Sequence, residues 1–472
     1  MSRLKPRIRR AAPQHGEPRR RQGGPMAQHD LGPGIGPLRD ATIGRRSLLL
    51  LTGAVGAGAV LAACAKPPRP PGAGAIPPMP VYAAALNEQI PPILKENGIP
   101  GAIVLIRSPD KGDWSATFGV AGIGSDAPPS LHDHVRIASI SKSMTATVIL
   151  QLQQEGELAI TDPISRYIPG VPDGDSITIQ QLAEMRSGLY SYADDPGFAA
   201  TLEKQPDTVW TPQQLLGIAF AHPQNFPPGR QYEYSNTNYV LLGLVIEKVT
   251  GTTAAAALKA RIFDPLGLRN TMLPAAADAA LPDPHPRGYM WGPNEASDGP
   301  LPQAQLEAAL AGDLQPADHT NDNPSWAWTA GGVISRADYV ADFIEAMVAG
   351  PLLDDATRQW RLVNMKPTDL SDPGGASKLG FGTYGFGLEG AGPMYGHPGN
   401  IVGFSGLAAH DPKVGTTVVI LTTVYLTPRG DSPQNALFAP ILSQLYPDVA
   451  AQLPGLDSSR STPPTSSTGP GR

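Results

Sequence analysis

Ser139-Ile140-Ser141-Lys142 opens a run whose next apolar members, Met144, Val148, Ile149, Leu150 and Leu152, have the spacing of a buried helix. If the helix begins at the serine, a three-residue separation puts a hydroxyl and a primary amine on one face, a turn apart. A serine is a poor nucleophile until a base takes its proton, and lysine can be that base when burial or nearby cations lower its pKa. A second copy of the spacing, Ser108-Pro109-Asp110-Lys111, contains a proline and runs into Gly112, which is turn chemistry. Only the first copy presents its pair from an apolar helix. Ser139 and Lys142 are therefore the candidate nucleophile and base.

Outward from this helix, the chain reads as strands at both ends with helices between. Ala102 to Ile106 and Trp114 to Val120 are apolar and β-branched runs around a Ser108–Gly112 turn, which predicts a hairpin. Gly403 to His410 and Thr416 to Tyr425 repeat the pattern around Asp411-Pro412-Lys413-Val414-Gly415, so one sheet is expected to take strands from both ends. Val81 to Glu96 has helical spacing and stops at Asn97-Gly98. Asn236 to Val249 and Ser335 to Val348 are further helices, the second with Ser335 as its expected cap and Asp338 three residues on. The fold class is α+β: an antiparallel sheet flanked by helices, plus a mainly helical subdomain. No fixed-period repeat supports a solenoid or propeller.

Two more constellations carry chemistry. Pro228-Gly229-Arg230-Gln231-Tyr232-Glu233-Tyr234-Ser235-Asn236 is a turn and a polar-aromatic cluster ahead of a long helix, and Gly396-His397-Pro398-Gly399-Asn400 leads into Gly403-Phe404. S-x-x-K, then Y-S-N, then H-x-G resembles the serine β-lactamase and D,D-carboxypeptidase superfamily, class C β-lactamases and penicillin-binding-protein-like hydrolases above all. Supporting stretches are Ile177-Thr178-Ile179-Gln180-Gln181-Leu182, Ser187-Gly188-Leu189, Trp328-Thr329-Ala330-Gly331-Gly332 and Tyr384-Gly385-Phe386-Gly387-Leu388, and the likeness covers residues 81–448.

The resemblance implies a β-lactamase/transpeptidase-like fold in which Ser139 forms an acyl-enzyme, Lys142 assists deprotonation, Tyr234 carries a proton to the leaving group and Asn236 orients them. His397 stands where many relatives have lysine; it keeps donor capacity, and its charge is expected to depend on pH. The backbone amides of Ser139 and Asn400 would form the oxyanion hole, each donor worth about 2.7–4 kcal/mol. Gly399 is expected where a strand must approach the substrate closely. Trp326, or its neighbour Trp328, is a candidate wall for an apolar acyl group. Two positions depart from the carboxypeptidase pattern: Pro398 removes a hydroxyl that would meet a substrate carboxylate, and Glu389 stands where some relatives place an arginine. An anionic substrate end would be repelled.

Composition bounds the alternatives. At 41% apolar and 17% charged residues the 472-residue chain can bury a large core, and a net charge of −6 does not suggest a nucleic-acid partner. The single cysteine, Cys64, excludes an intrachain disulfide. It ends Leu61-Ala62-Ala63-Cys64, which resembles a lipoprotein cleavage and acylation site, after an uncharged stretch from Ser47 and the twin-arginine-like Arg45-Arg46. Residues 1–63 are read as an export signal with a long basic start, Met26 being a second candidate start. Lipidation would fall on Cys64. An uncleaved membrane anchor is the other reading of this stretch. Residues 64–80 form a Pro/Gly-rich linker and 449–472 a Ser/Thr/Pro-rich disordered tail, so the hydrolase domain would sit on the outer face of a bacterial membrane. His132-Asp133-His134 reads as a solvated loop; no metal and no organic cofactor is expected.

These readings converge on hydrolysis of an ester or amide, esterase-like or D-alanyl-D-alanine carboxypeptidase-like, on a small-molecule or peptide acyl substrate. A β-lactamase is the alternative within this chemistry. A non-catalytic cell-envelope binding lipoprotein on the same fold is the alternative outside it.

Overall fold

A computed structural model describes residues 79–294, 299–369 and 382–452. The export signal, Cys64 and most of the linker lie outside the described residues. The chain enters at helix α1 (Val81–Glu96), which matches its predicted span and buries Tyr82, Leu86, Ile90 and Leu94 along one stripe. A short helix, Pro447–Ala450, runs two residues past the expected boundary at 448.

The sheet is antiparallel. Its strands are β1 (Gly101–Arg107), β2 (Trp114–Gly119), β3 (Lys366–Pro367), β4 (Thr383–Gly385), β5 (Leu388–Ala391), β6 (Met394–Ile401), β7 (Phe404–Asp411) and β8 (Thr416–Thr422). They lie in the order β2-β1-β8-β7-β6-β5-β4-β3. The two predicted hairpins are thus joined edge to edge, with Val104 of β1 opposite Ile420 of β8. Period-two alternation divides their side chains between two cores. Ile103, Leu105, Ala408, Val419 and Leu421 face one cluster, while Ala102, Val104, Ile106, Leu407, Ala409, Val418 and Ile420 face the other. Both faces are covered, which is why β1 and β8 read as unbroken apolar runs rather than alternating ones.

On the second face lie α1 and helix α6 (Pro433–Leu445). The first carries α2 (Ile140–Gln154) and α4 (Ala337–Val348). Helix α3 (Asn236–Thr250) packs on α2, away from the sheet, with the shorter helices Ile179–Ala183 and Pro212–Phe220 beside it. That group is the helical subdomain. The expected cap of α4 is corrected here: Arg336 holds the cap position, without a side-chain capping bond. Ser335 instead pairs with Val135 in a two-strand bridge, and its hydroxyl lies 2.7 Å from that of Thr271.

The β4–β5 hairpin ties the sheet to α2. Phe386 and Gly387 both have positive φ, 47° and 72°, as a tight two-residue turn demands. A Cβ on Gly387 would lie 2.7 Å from Ala146 Cβ and 2.9 Å from Lys142 O. Ser143 Oγ donates to Gly387 O at 2.6 Å. From helix α5 (Asp355–Val363), the buried Arg361 donates to Phe386 O at 2.7 and 3.0 Å and to Thr147 Oγ1 at 2.9 Å. Replacing Gly387 by alanine combines left-handed strain with overlap against the α2 backbone, and is expected to cost about 2–4 kcal/mol. A lowered urea midpoint at unchanged slope is the measurement; a midpoint equal to wild type would show that the hairpin is not held against the helix.

Candidate active site

The turn into α2 is strained. Ala138 has φ of 50°, and Ser139 follows as the helix cap with φ of −63°, so the serine stands partly exposed at the start of an otherwise buried helix. Lys142, one turn on, is fully buried. Its Nζ lies 2.9 Å from Ser139 Oγ, 2.7 Å from Asn236 Oδ1 and 2.7 Å from Ala330 O. Burial pushes its pKa well below the usual lysine value. A neutral amine has two hydrogens and one lone pair: the hydrogens serve Asn236 and Ala330, and the lone pair is left for the serine proton. The arrangement is that of a general base against its nucleophile.

Tyr234 reaches the site from the segment before α3. That segment is clamped by Gly229 N donating to Arg186 O (2.7 Å) and Glu233 N donating to Met185 O (3.0 Å). The Ser187 hydroxyl, from the quoted Ser-Gly-Leu stretch, donates to Asn238 Oδ1 at 2.6 Å. The phenol of Tyr234 lies close enough to Ser139 to feel its side chain, and its ring lies 4.7 Å from Lys142 Nζ. Burial raises its pKa well above 10, so it is a neutral donor.

Strand β6 closes the site. A Cβ on Gly399 would fall 2.7 Å from Ser139 N and 2.9 Å from Ile137 O, so only glycine lets the strand approach the nucleophile's amide. Asn400, next along, has its side chain engaged elsewhere: Nδ2 donates to Tyr425 O at 2.8 Å, and Oδ1 accepts from Gln434 Nε2 at 3.1 Å. With its side chain so engaged, Asn400 has its backbone amide left for the role that the resemblance implies.

His397 differs from expectation. It is buried, its ring 6.2 Å from that of Tyr234. Nδ1 donates to the carbonyl of Pro398, and Nε2 accepts from the Tyr384 hydroxyl at 3.2 Å. Burial, with the Lys142 charge second, pushes its pKa down to about 3. The imidazole is neutral across ordinary pH with both nitrogens occupied, so the expected pH-dependent charge is corrected to a fixed neutral ring that orients Tyr384.

The remaining candidates have the following partners. Trp326 packs its ring against Phe198 (5.9 Å), and its carbonyl accepts from Tyr192 Oη at 2.6 Å, in an aromatic cluster that includes Trp210. Ser108 lies 3.1 Å from Thr416 Oγ1 while Lys111 donates to Leu445 O at 2.7 Å, so the second S-x-x-K does not form a pair. Asp133 accepts from Ser130 N within its own loop, whereas His134 Nδ1 lies 3.1 Å from Pro284 O on a distant segment; both side chains are buried, which corrects the expected solvated loop. Sequence reading did not single out the Ala330 carbonyl, Tyr384 or Arg361. The first two lie inside quoted stretches; Arg361 has no local signal.

Lys142→Met is expected to lower turnover by at least about 10³-fold. Folding must deprotonate the wild-type amine wherever the unfolded chain still binds that proton, below about pH 10.4. Wild-type stability relative to the variant therefore rises between neutral and strongly alkaline pH. A pH-independent difference in denaturation midpoints would show that the buried amine stays charged.

The β-lactamase family model matches residues 86–438. The PbpX protein of Bacillus subtilis (strain 168) is 27% identical over 340 residues, 71% of this chain and 73% of that protein. Among solved structures, a D-stereospecific amidohydrolase from Streptomyces sp. has a TM-score of 0.63 at 32% identity, covering 77% of this chain and 98% of that one. The D-amino acid amidase of Ochrobactrum anthropi SV3, complexed with D-phenylalanine, has a TM-score of 0.62 at 25% identity, covering 78% of this chain and 100% of that one.

Proposed function

The chain belongs to the β-lactamase family of serine hydrolases, and from that premise we propose that it cleaves amide bonds of small aminoacyl or peptide substrates through an acyl-enzyme on Ser139. The observation that carries the reading is the Lys142 amine, 2.9 Å from the serine hydroxyl with two carbonyl oxygens holding its hydrogens. Similarity to the two solved amide hydrolases favours an amide over an ester. Pro398 and Glu389 weigh against a substrate ending in a free carboxylate.

In this mechanism Lys142 Nζ takes the Ser139 proton as Oγ attacks the carbonyl carbon. The amides of Ser139 and Asn400 receive the developing oxyanion. Tyr234 gives its proton to the leaving nitrogen and is reprotonated from the Lys142 ammonium, so the amine leaves neutral and Lys142 is again a base. Water then attacks the ester carbonyl by the same route, releasing acid and free serine. Incubation with a fluorophosphonate is expected to label wild-type protein and not Ser139→Ala, and wild type is expected to hydrolyse amino-acid anilides. Labelling with penicillin in place of anilide turnover favours the penicillin-binding alternative; no labelling and no turnover favours a binding protein on this fold.

We also propose export as a lipoprotein, on the order Arg45-Arg46, uncharged stretch, Leu61-Ala62-Ala63-Cys64. Metabolic labelling with a fatty-acid analogue is expected to mark the full chain in a bacterial host and to be lost in Cys64→Ala. Label retained in that variant rules out acylation at Cys64.

A further inference from the structure

We propose that Glu389 forms a cation subsite of the cleft and selects substrates carrying a protonated amine near the scissile carbonyl. The proposal rests on the amide-hydrolase reading and deepens it.

Strand β5 places Glu389 opposite Tyr384 on one side and Gly396 on the other. It is therefore one strand away from the residue preceding His397, and three residues along β6 from Gly399, which abuts Ser139 N. At about 3.4 Å per residue, that is roughly 10 Å along the strand, a span that a glutamate side chain and a bound aminoacyl group cover together. Tyr384, its directly opposite cross-strand partner, has its ring 6.4 Å from that of Tyr234 and 5.7 Å from that of His397, so the paired Glu389 stands beside the aromatic wall of the nucleophile; its charge raises the pKa of both Tyr232 and Tyr234.

Its own surroundings are incomplete. Glu389 is only partly exposed, yet among the described residues no hydrogen bond or ion pair reaches its carboxylate. A carboxylate drawn out of water without a partner is costly, and burial pushes its pKa up to about 7. The groups around it supply no compensation. Tyr232, Tyr234 and Tyr384 are held neutral by burial, as is His397. Arg186, beneath Tyr232, is committed to Pro367 O and to that ring. Lys142 is depressed by its own burial. The cleft thus has one acidic group ready to ionise and a set of neutral ones. A substrate ammonium supplies the missing charge-assisted partner; a substrate carboxylate meets Glu389 and a proline with no hydrogen to donate.

The ammonium can belong to the acyl part or to the leaving group, and matched substrates separate the two. For the acyl side, D- and L-alanine p-nitroanilide are compared with their N-acetyl forms. For the leaving side, the N-acetylalanine amide of 4-(aminomethyl)aniline is compared with that of 4-methylaniline. At mildly alkaline pH, where Glu389 is ionised, wild type is expected to prefer the ammonium member of at least one pair by about tenfold in kcat/KM. Glu389→Gln is expected to bring that ratio near one, and Glu389→Lys to reverse it. No preference in either pair, or a ratio unchanged in Glu389→Gln, overturns the subsite. Should the variants not fold, wild type alone decides: n-butylammonium must slow fluorophosphonate labelling of Ser139 more than butyrate does, and equal protection overturns the proposal. Labelled Ser139 that turns over neutral anilides without discrimination removes the subsite and leaves the hydrolase; unlabelled Ser139 removes both.

Discussion

The structure turns on one amine buried among three oxygens. A lysine side chain removed from water loses several kcal/mol of solvation if it keeps its charge. Lys142 has no carboxylate to pair with: its neighbours are a hydroxyl, an amide oxygen and a peptide carbonyl. Those acceptors are too weak to hold an ammonium against full burial, but they suit an amine whose lone pair faces the hydroxyl. The chemical competence of Ser139 follows from where Lys142 is placed, and that placement follows from how α2 is packed.

The packing explains why distant stretches must agree. One carbonyl around the amine comes from the Trp328–Gly331 turn and one amide oxygen from the first residue of α3. Gly387 lets the β4–β5 turn rest on Lys142 O, and Arg361 and Ser143 fix that turn to the helix that carries Lys142. Gly399 performs the matching service on the other side, letting β6 touch the serine amide. A side chain at either glycine would push the sheet away from the nucleophile. The two glycines and the buried arginine therefore act on the chemistry through distance, without touching a substrate.

Much of this was legible in the sequence. The apolar periods gave both hairpins, and α1 and α3 to within a residue, because these elements bury whole stripes or faces and their signal is redundant. Ser139 and Lys142 were read from their spacing on an apolar helix, and Tyr234 and Asn236 from the family resemblance that the ordered motifs carry. The misses share a cause. Ser335 looks like a helix cap because capping is read from local neighbours, yet its backbone is claimed by Val135 and its hydroxyl by Thr271, contacts between segments far apart in the chain. His397 was read by residue type, which gives a titratable donor; what silences it is Tyr384, two strands away in the sheet, and burial. Arg361 left no trace, since a lone arginine on a short polar helix resembles a surface residue until the fold closes over it.

The same comparison accounts for a histidine at a position where lysine is common among relatives. A lysine ammonium beside the Lys142 amine would raise the cost of every proton in the cleft and would need its own counter-charge. An imidazole can fill the position and give up its charge, because its reference pKa is already near neutrality and burial need move it only a few units. The ring still orients Tyr384 through Nε2, and its Nδ1 proton is absorbed by the Pro398 carbonyl. What is surrendered is a fixed positive charge that would draw in anionic substrates. With proline at 398 and glutamate at 389, three neighbouring positions shift the cleft in one electrostatic direction, away from carboxylates. Under the proposed function these three replacements act together as a change of substrate preference, whereas a single one would be only a local repacking.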